Sequence, residues 1–401
     1  MAVPGEVGAE IGWKRAIVDR DVPSALIARA RRNGGIMRVR VPLPGRFWLI
    51  TDPDLIDRVL RTGAGEFDKG GPIYRIIRNA TGDEGLFAVN DPQTWRILRE
   101  HTNPAFAAGN LTALAHESVR RLIDRIDSWS PDRGVDVFTE FKLLNVELLA
   151  QHLFGQAVDC ATLVRLAQPI FDSQRKQWFR IGGGRYQRAI AAMDTEVHAI
   201  IDRRRSLDDC HGDLLGHLLQ ARPDIPVQRI RDQVVSHLMA GFDSTACAQA
   251  WACVRLADHP AELAELRTEV EALGGCAPTA ADLTRMPLLT TFFGDVVAQR
   301  PSFPLIFRNV AADTELAGRA LRPGDQLFIA PGPAGLPFGI GRRKCIGEPL
   351  ALLTGALSIA VLLQRFGRWQ RIRPGDQQVR YATTAPPRHS EIRFTPRAQT
   401  P

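Results

Sequence analysis

The chain has 401 residues, 45% hydrophobic and 24% charged, a globular composition that excludes disorder and low complexity. Lys plus Arg number 51 against 44 Asp plus Glu, so the net charge is +7, small for this length. With only three Tyr and few Lys, nucleic acid is not an expected partner. The last stretch is locally basic, with eight Arg between Arg365 and Arg397 against only Asp376 and Glu391. The six Cys (Cys160, Cys210, Cys247, Cys253, Cys276 and Cys345) form no C-x-x-C pair, which argues against a disulfide framework or a zinc ribbon. Met1 to Arg20 mixes acids and bases with no long apolar run. No signal peptide or membrane anchor is expected, and a reducing, cytoplasmic setting follows.

In chain order, Ile36 to Val41 and Arg46 to Thr51 read as two short strands around a Pro42-Leu43-Pro44-Gly45 turn. Asp52-Pro53 opens a helix through Leu60, with Asp as cap and Pro in the first turn. From Thr94 to about Phe366 helical periodicity dominates. The fitting segments are Leu111–Trp129, Leu143–Leu153, Tyr186–Arg205, Asp213–Ala221, Val227–Asp258, Pro260–Leu273 and Pro349–Phe366. Strand-like pieces return at Leu305–Ala311, Gln326–Ile329 and Glu391–Phe394. No repeat or linker divides the chain, so residues 1–401 read as one domain, mainly α with a minor β part.

Val227 to Asp258 would run about 48 Å as a helix. Its middle is apolar on all sides, which marks a buried helix. Gly241, Asp243, Ser244 and Thr245 interrupt it. Two readings stand. One is a packing glycine with locally bonded polar groups. The other is a helix opened beside a cavity, presenting an acid and an alcohol to a ligand.

Phe338-Gly339-Ile340-Gly341-Arg342-Arg343-Lys344-Cys345-Ile346-Gly347 is the most informative stretch. Its glycines permit tight backbone beside a flat ligand. Cys345 lies just before Glu348-Pro349, a helix start, and after three cations. Both should lower its thiol pKa and give a thiolate suited to a soft metal.

This stretch resembles the F-G-x-G-x-R-x-C-x-G pattern of the cytochrome P-450 family at every fixed position. The resemblance extends over nearly the whole chain. Trp95-Arg96-Ile97-Leu98-Arg99 is similar to the family's W-x-x-x-R, and Ala240-Gly241-Phe242-Asp243-Ser244-Thr245 to its A-G-x-[DE]-T-T oxygen-binding motif. Pro304-Leu305-Ile306-Phe307-Arg308 resembles the pocket-lining strand, and Trp251 and His259-Pro260 also match.

The resemblance implies the cytochrome P-450 fold, with haem b buried between the long central helix and the Cys-loop helix. It implies Cys345 as the axial ligand to iron, shielded by Phe338, with Gly339 and Gly347 leaving backbone N–H groups near the sulfur. Arg99, Arg308 and Arg343 would neutralise the propionates, and the Trp95 indole would donate to one. Ala240 and Gly241 would border the cofactor, while Asp243 and Ser244, with Thr245 adjacent, would handle protons. The substrate pocket would draw on Ile73 and Tyr74 in a loop, the segment Phe171 to Phe179, Phe303, Leu305, Ile306 and Thr384. Arg175, Lys176 and Arg180 would be possible anchors for an anionic group. A ferredoxin or flavodoxin would dock near Arg342, Arg343 and Lys344. The implied activity is oxidation of an organic small molecule, without membrane involvement. A reductase-free reaction (isomerisation, dehydration, coupling or peroxide-driven) and a non-catalytic haem-binding role are the alternatives.

Three departures stand out. Ser244 takes a place usually held by Thr. The family's E-x-x-R pair falls on Asp295 and Ala298, so the acid is shortened and the Arg is gone. Only Ala330 to Pro337 separate the last pocket strand from Phe338, where the family has a longer meander. The resemblance implies that the second and third are linked, since in the family a cation supplied by the meander and the lost Arg belong to one buried network.

Overall fold

The computed structural model describes residues 22–41, 44–130, 133–155, 159, 161–163, 165–167, 170, 184–206, 212–221, 225–331, 335–380 and 384–397. The expected pocket segment at 171–179, Arg180, Cys160 and Cys210 lie outside them.

The chain opens with α1 (Val22–Arg32), β1 (Ile36–Val39), β2 (Phe47–Ile50) and α2 (Pro53–Asp57), which continues as a π turn, Arg58–Thr62. Asp52 caps α2 by accepting the N–H groups of Asp54 and Leu55, with Pro53 in the first turn. Next come β3 (Phe67–Asp68), α3 (Pro72–Thr81), α4 (Pro92–Thr102), α5 (Ala108–Ile126), β4 (Val135–Asp136) and α6 (Val137–Phe154). The helical body continues with α7 (Gly184–Ser206), α8 (Leu214–Ala221), α9 (Val227–Asp258), α10 (Pro260–Glu271) and α11 (Pro287–Gln299). The strands β5 (Ile306–Val310), β6 (Thr314–Leu316), β7 (Arg319–Leu321) and β8 (Gln326–Ile329) follow. The described chain closes with α12 (Glu348–Arg365), β9 (Phe366–Arg371) and β10 (Glu391–Pro396).

The main sheet has the order β1-β2-β8-β5-β3, antiparallel except where β2 runs parallel to β8. Asp325, at the start of β8, receives two Arg46 N–H groups at 2.6 Å each and the Trp48 indole at 3.1 Å, pinning that parallel pair. A second sheet, β4-β10-β9, closes the far end. α9 threads the helical body and packs against α6, α7 and α12. Gly241 explains how closely α6 approaches: a Cβ there would fall 2.8 Å from the Leu149 side chain. Buried amides tie the same helices together. Asn145 Nδ2 donates to Gln249 Oε1 at 2.9 Å, and Gln249 Nε2 donates to the Ser358 hydroxyl at 2.8 Å. α12 is long and apolar enough to cross a membrane, yet over half of it is buried within the protein, as expected of a core helix.

Candidate active site

α9 is buried along its middle except on one stripe. Between Ile230 and Val254 only Ala240, Gly241, Ser244 and Thr245 are not buried. Their spacing of one and four residues places them on one face, so that face borders an internal opening. The helix is not opened there, in contrast to the cavity-opened reading. It is continuous from Val227 to Asp258, and within it the Ser244 hydroxyl donates to the Ala240 carbonyl at 2.9 Å and the Thr245 hydroxyl to the Gly241 carbonyl at 3.2 Å. This is the local bonding that helical hydroxyls adopt. Ser302 donates to the Ser244 carbonyl at 2.6 Å, tying the strand-entry segment to the helix.

Asp243 points elsewhere. It is buried, accepts a short hydrogen bond from the Thr384 hydroxyl, and lies 3.3 Å from the Lys142 ammonium of α6. That ammonium also sits 5.5 Å from the Phe242 ring centre. The acid and the Ser244 alcohol are therefore neighbours in sequence with separate partners.

The Cys345 loop is shaped by backbone conformation. Gly339 and Gly341 have φ of +69° and +71°. A Cβ on Gly341 would fall 2.5 Å from the Leu60 carbonyl oxygen, so only glycine fits. Cys345 N–H donates to the Phe338 carbonyl at 2.9 Å, and Gly339 N–H is taken by Leu336, so it does not serve the sulfur. The backbone N–H groups of Gly347 and Glu348, at the start of α12, are the ones that hydrogen-bond the Cys345 thiol. The residue is exposed, yet the atoms packed around its thiol desolvate it and push its pKa up despite these donors and Arg99. The expected low thiol pKa is thus corrected: desolvation outweighs the helix start and the cations. Arg342 and Lys344 are solvent-exposed, with Lys344 paired to Glu348 at 2.5 Å.

The expected anion-binding residues do converge. The Arg343 guanidinium stacks 4.8 Å from the Trp95 ring centre. Arg99 donates to the Lys344 carbonyl at 3.1 Å. Arg308 donates to the Phe307 carbonyl at 2.7 Å and reaches the Tyr74 hydroxyl at 3.5 Å. Burial, with the like charge of Arg308 next, pushes the Arg343 pKa down to about 10. Arg343 Nη1 is buried with no hydrogen-bond partner. Among the described residues, neither Arg308 nor Arg343 has a carboxylate at ion-pair distance. Buried, mutually repelling guanidiniums with a free donor fit a ligand that brings carboxylates, as the propionates of haem do. Among the described residues no three His, Cys, Asp or Glu side chains are placed to hold a metal.

Of the pocket residues, Phe303, Leu305 and Ile306 are half-buried, whereas Ile73, Tyr74 and Thr384 are buried. Ile73 and Tyr74 sit in the first turn of α3 rather than in a loop, and the Tyr74 hydroxyl donates to the Phe307 carbonyl at 3.3 Å. Asp295 is exposed and Ala298 half-buried, so the shortened acid carries no buried charge.

Sequence reasoning missed two residues. Lys69 is buried, donates to the Phe87 carbonyl, and lies 4.9 Å from both the Tyr74 and Phe87 ring centres. Lys142 is the cation beside Asp243. The available signal was scarcity: the only lysines in this Arg-rich chain are Lys14, Lys69, Lys142, Lys176 and Lys344.

The family profile described as Cytochrome P-450 matches residues 18–335 and 330–384. The chain is 28% identical to a Cyclooctatin synthase of Streptomyces melanosporofaciens, over 88% of this chain and 86% of that protein. It is also 28% identical to a Cyclooctat-9-en-7-ol 5-monooxygenase of the same organism, over 90% and 86%. Among solved structures, a cytochrome P-450 heme domain superposes with a TM-score of 0.81 at 22% identity, covering 94% of this chain and 93% of that one. A second cytochrome P-450 crystal structure gives 0.79 at 24% identity, over 93% and 94%. At these identities the two structures establish the fold alone.

Proposed function

The chain belongs to the cytochrome P-450 family, a haem-thiolate oxidoreductase family, and from that premise we propose that it binds haem b through Cys345 and monooxygenates a mainly apolar small molecule. The observation that carries this reading is the exposed Cys345 at the start of α12, on a loop shaped by the positive φ of Gly339 and Gly341, with the Gly347 and Glu348 N–H groups directed to its thiol. Bound haem supplies the redox chemistry, its thiolate ligand favouring O–O cleavage.

The chain's own residues bind, orient and shield. Trp95, Arg99, Arg308 and Arg343 hold the propionates, with Phe338 and Gly339 shaping the loop on the sulfur side. The Ala240, Gly241, Ser244 and Thr245 stripe forms one wall of the reaction space, and Phe303, Leu305 and Ile306 supply apolar lining. Asp243, beside Lys142 and Thr384, lies one residue from the Ser244 hydroxyl, and the two would relay a proton to the reaction space. Passing it on requires Asp243 or Ser244 to exchange its present partner. The reaction inserts one oxygen atom of dioxygen and reduces the other to water, with two electrons from an external donor. Exposed Arg342 and Lys344 suit an acidic ferredoxin or flavodoxin. The two Streptomyces relatives, one named for oxygenating cyclooctat-9-en-7-ol, make a cyclic, largely apolar biosynthetic intermediate the first substrate class to try.

A second reading is a haem-thiolate reaction without a reductase. It is favoured by one observation, that the Ser244 hydroxyl and Asp243 are both already engaged. The test has two parts. Reduced, carbon-monoxide-treated protein should show the Soret band of thiolate-ligated haem, and its absence in haem-loaded protein overturns the proposal. Product formation should require NADH and a ferredoxin system, whereas turnover without a donor selects the second reading.

A further inference from the structure

None of the eight Arg from Arg365 to Arg397 belongs to the cofactor site described above. The two at the ends of that run meet at a cleft of about 520 Å³, at the far end of α12 from Cys345. The length of α12 puts about 25 Å between the two places. α5, α10, α12 and the end of β10 form the cleft. Its floor is apolar, with Val270 and Val361 buried and Ile123 half-buried. The turn after α10 closes one side. Gly274 and Gly275 there have φ of +65° and +82°, and a Cβ on either would meet nothing within 4 Å. The backbone therefore turns without sending a side chain across the opening. The Gln364 amide donates to the Cys276 carbonyl at 2.9 Å and Arg285 donates to the Ala272 carbonyl at 3.2 Å, so the turn is held in place and the cleft is preformed.

The rim is cationic. Arg365 pairs with Asp127 at 2.9 Å and Arg397 with Glu271 at 2.6 Å. All four side chains are more than a third exposed, so solvent screens both pairs and an incoming anion can replace either carboxylate at small cost. Arg267 adds a third cation. Its Nη2 donates to the Phe366 and Gly367 carbonyls at 3.1 and 2.7 Å, while its Nε is buried with no hydrogen-bond partner. A Cβ on Gly367 would fall 3.5 Å from Arg397 Cγ, so the two Arg share one corner, where Arg397 acts on Arg267 with like charge more strongly than Glu271 opposes it. Three guanidiniums against two carboxylates leave positive charge unmatched beside an apolar floor.

We propose that this cleft is a second small-molecule site, separate from the haem pocket, for an organic acid: a carboxylate carried on an apolar body. The body covers Val270, Val361 and Ile123. The carboxylate takes the guanidinium forks of Arg365 and Arg397, whose present partners turn to water. The volume is that of an ordinary ligand site, and the paired forks at its rim select an acid over a neutral molecule of the same shape.

The test compares 2-naphthoate with 2-naphthamide, which has the same ring system and no charge. Holoprotein is brought to equilibrium by dialysis against each, the Soret band is read on the same samples, and the melting temperature is recorded with and without ligand. Wild type should take up naphthoate with no Soret shift and a raised melting temperature, and bind naphthamide roughly tenfold weaker. Ala277→Trp, which places an indole in the opening, should lose naphthoate while keeping the wild-type Soret band. The Arg365→Gln, Arg397→Gln double variant should lose roughly tenfold for naphthoate and nothing for naphthamide. No uptake by folded wild type overturns the proposal. So does uptake that shifts the Soret band and survives in Ala277→Trp, which puts the acid in the haem pocket. An equal loss of acid and amide in the double variant also overturns it, since the two Arg then only hold the corner together. Dialysis and melting are read without reference to haem, so a failure of the haem reading is seen separately.

Discussion

Acidification should weaken this fold through two buried imidazoles. His152 on α6 and His237 on α9 are 4% and 8% exposed. The Phe106 ring packs edge-on to His152 at 4.7 Å and lies 6.1 Å from His237. Nε2 of both, and of His217 on α8, is buried without a hydrogen-bond partner. Burial, followed by the charges of His237 and His217, pushes the His152 pKa down to about 3. Burial pushes His237 down to about 4, partly opposed by the Gln233 carbonyl, with Arg99 lowering it further. The unfolded chain, with ordinary imidazoles near 6.5, then binds more protons than the folded one, so stability falls as pH falls. The contribution is whole above about pH 7 and drains away from there towards about pH 4 and 3. At pH 5 each folded imidazole is still neutral, so the loss per site depends only on the 1.5-unit gap to the unfolded value. That is about 2 kcal/mol each, about 4 kcal/mol together. Equilibrium urea unfolding at pH 8, 7, 6 and 5 checks it in wild type and in a His152→Phe, His237→Phe double variant, which cannot titrate. Wild type should lose about 4 kcal/mol more than the variant between pH 8 and pH 5. Parallel losses, within about 1 kcal/mol, would refute the reasoning.

Gly241→Ala should destabilise by about 1 kcal/mol. Overpacking against Leu149 outweighs the gain in helix propensity, and Leu149→Ala in the same chain should reverse the sign in a double-mutant cycle of melting temperatures. Asp325→Asn should cost about 2 kcal/mol in urea unfolding, since it strands Arg46, which is only a third exposed, and loosens the β2–β8 pair. Asp243→Asn should lower turnover roughly ten- to a hundredfold and raise NADH consumed per product. Unchanged coupling would give Asp243 a structural role with Lys142. Ala298→Arg should bring no gain in stability, because Asp295, one turn before it on the same helix, is exposed; a gain would show that the lost pair was still wanted.

The sequence was most readable where one physical signal had no rival. Val227–Asp258 was bounded to the residue because it is apolar all round and ends at His259-Pro260. Gln326–Ile329 was equally clear between Gly324 and a Pro/Gly run. The cysteine loop declared itself through glycines whose positive φ the structure requires. Other features needed partners distant in sequence. The start of α3, at Ile73 and Tyr74, was read as a loop, although Gly71-Pro72 is a good helix start. The packing role of Gly241, one of two readings the sequence left open, became visible only when Leu149, 92 positions earlier, met it across the helix pair. The Cys345 pKa was misjudged because flanking charges are visible in sequence and desolvation is not. Lys69 became legible only when β5 and the cysteine loop brought Arg308 and Arg343 to it.

The missing E-x-x-R arginine fits the same physics. A buried carboxylate–guanidinium pair is costly to desolvate and holds a core only when every donor and acceptor is met. Here Asp295 stands in solvent, so it leaves no half-satisfied buried charge on α11. The helices around α9 are joined instead by neutral groups: Asn145 to Gln249, Gln249 to Ser358, and Ser358 back to the Thr354 carbonyl at 2.7 Å. Amides carry a far smaller desolvation cost than ions. Phe293 adds shape, filling the space beside Gly355, where a Cβ would fall 2.1 Å from the ring. Loss of the arginine and shortening of residues 330–337 are then compatible changes, because the buried contacts that hold α9 against α12 use neither. The charge the chain does bury elsewhere is paired within it, Arg204 with Asp213 at 2.7 Å and Arg231 with Asp232 at 3.0 Å, so each ion there meets an opposite one.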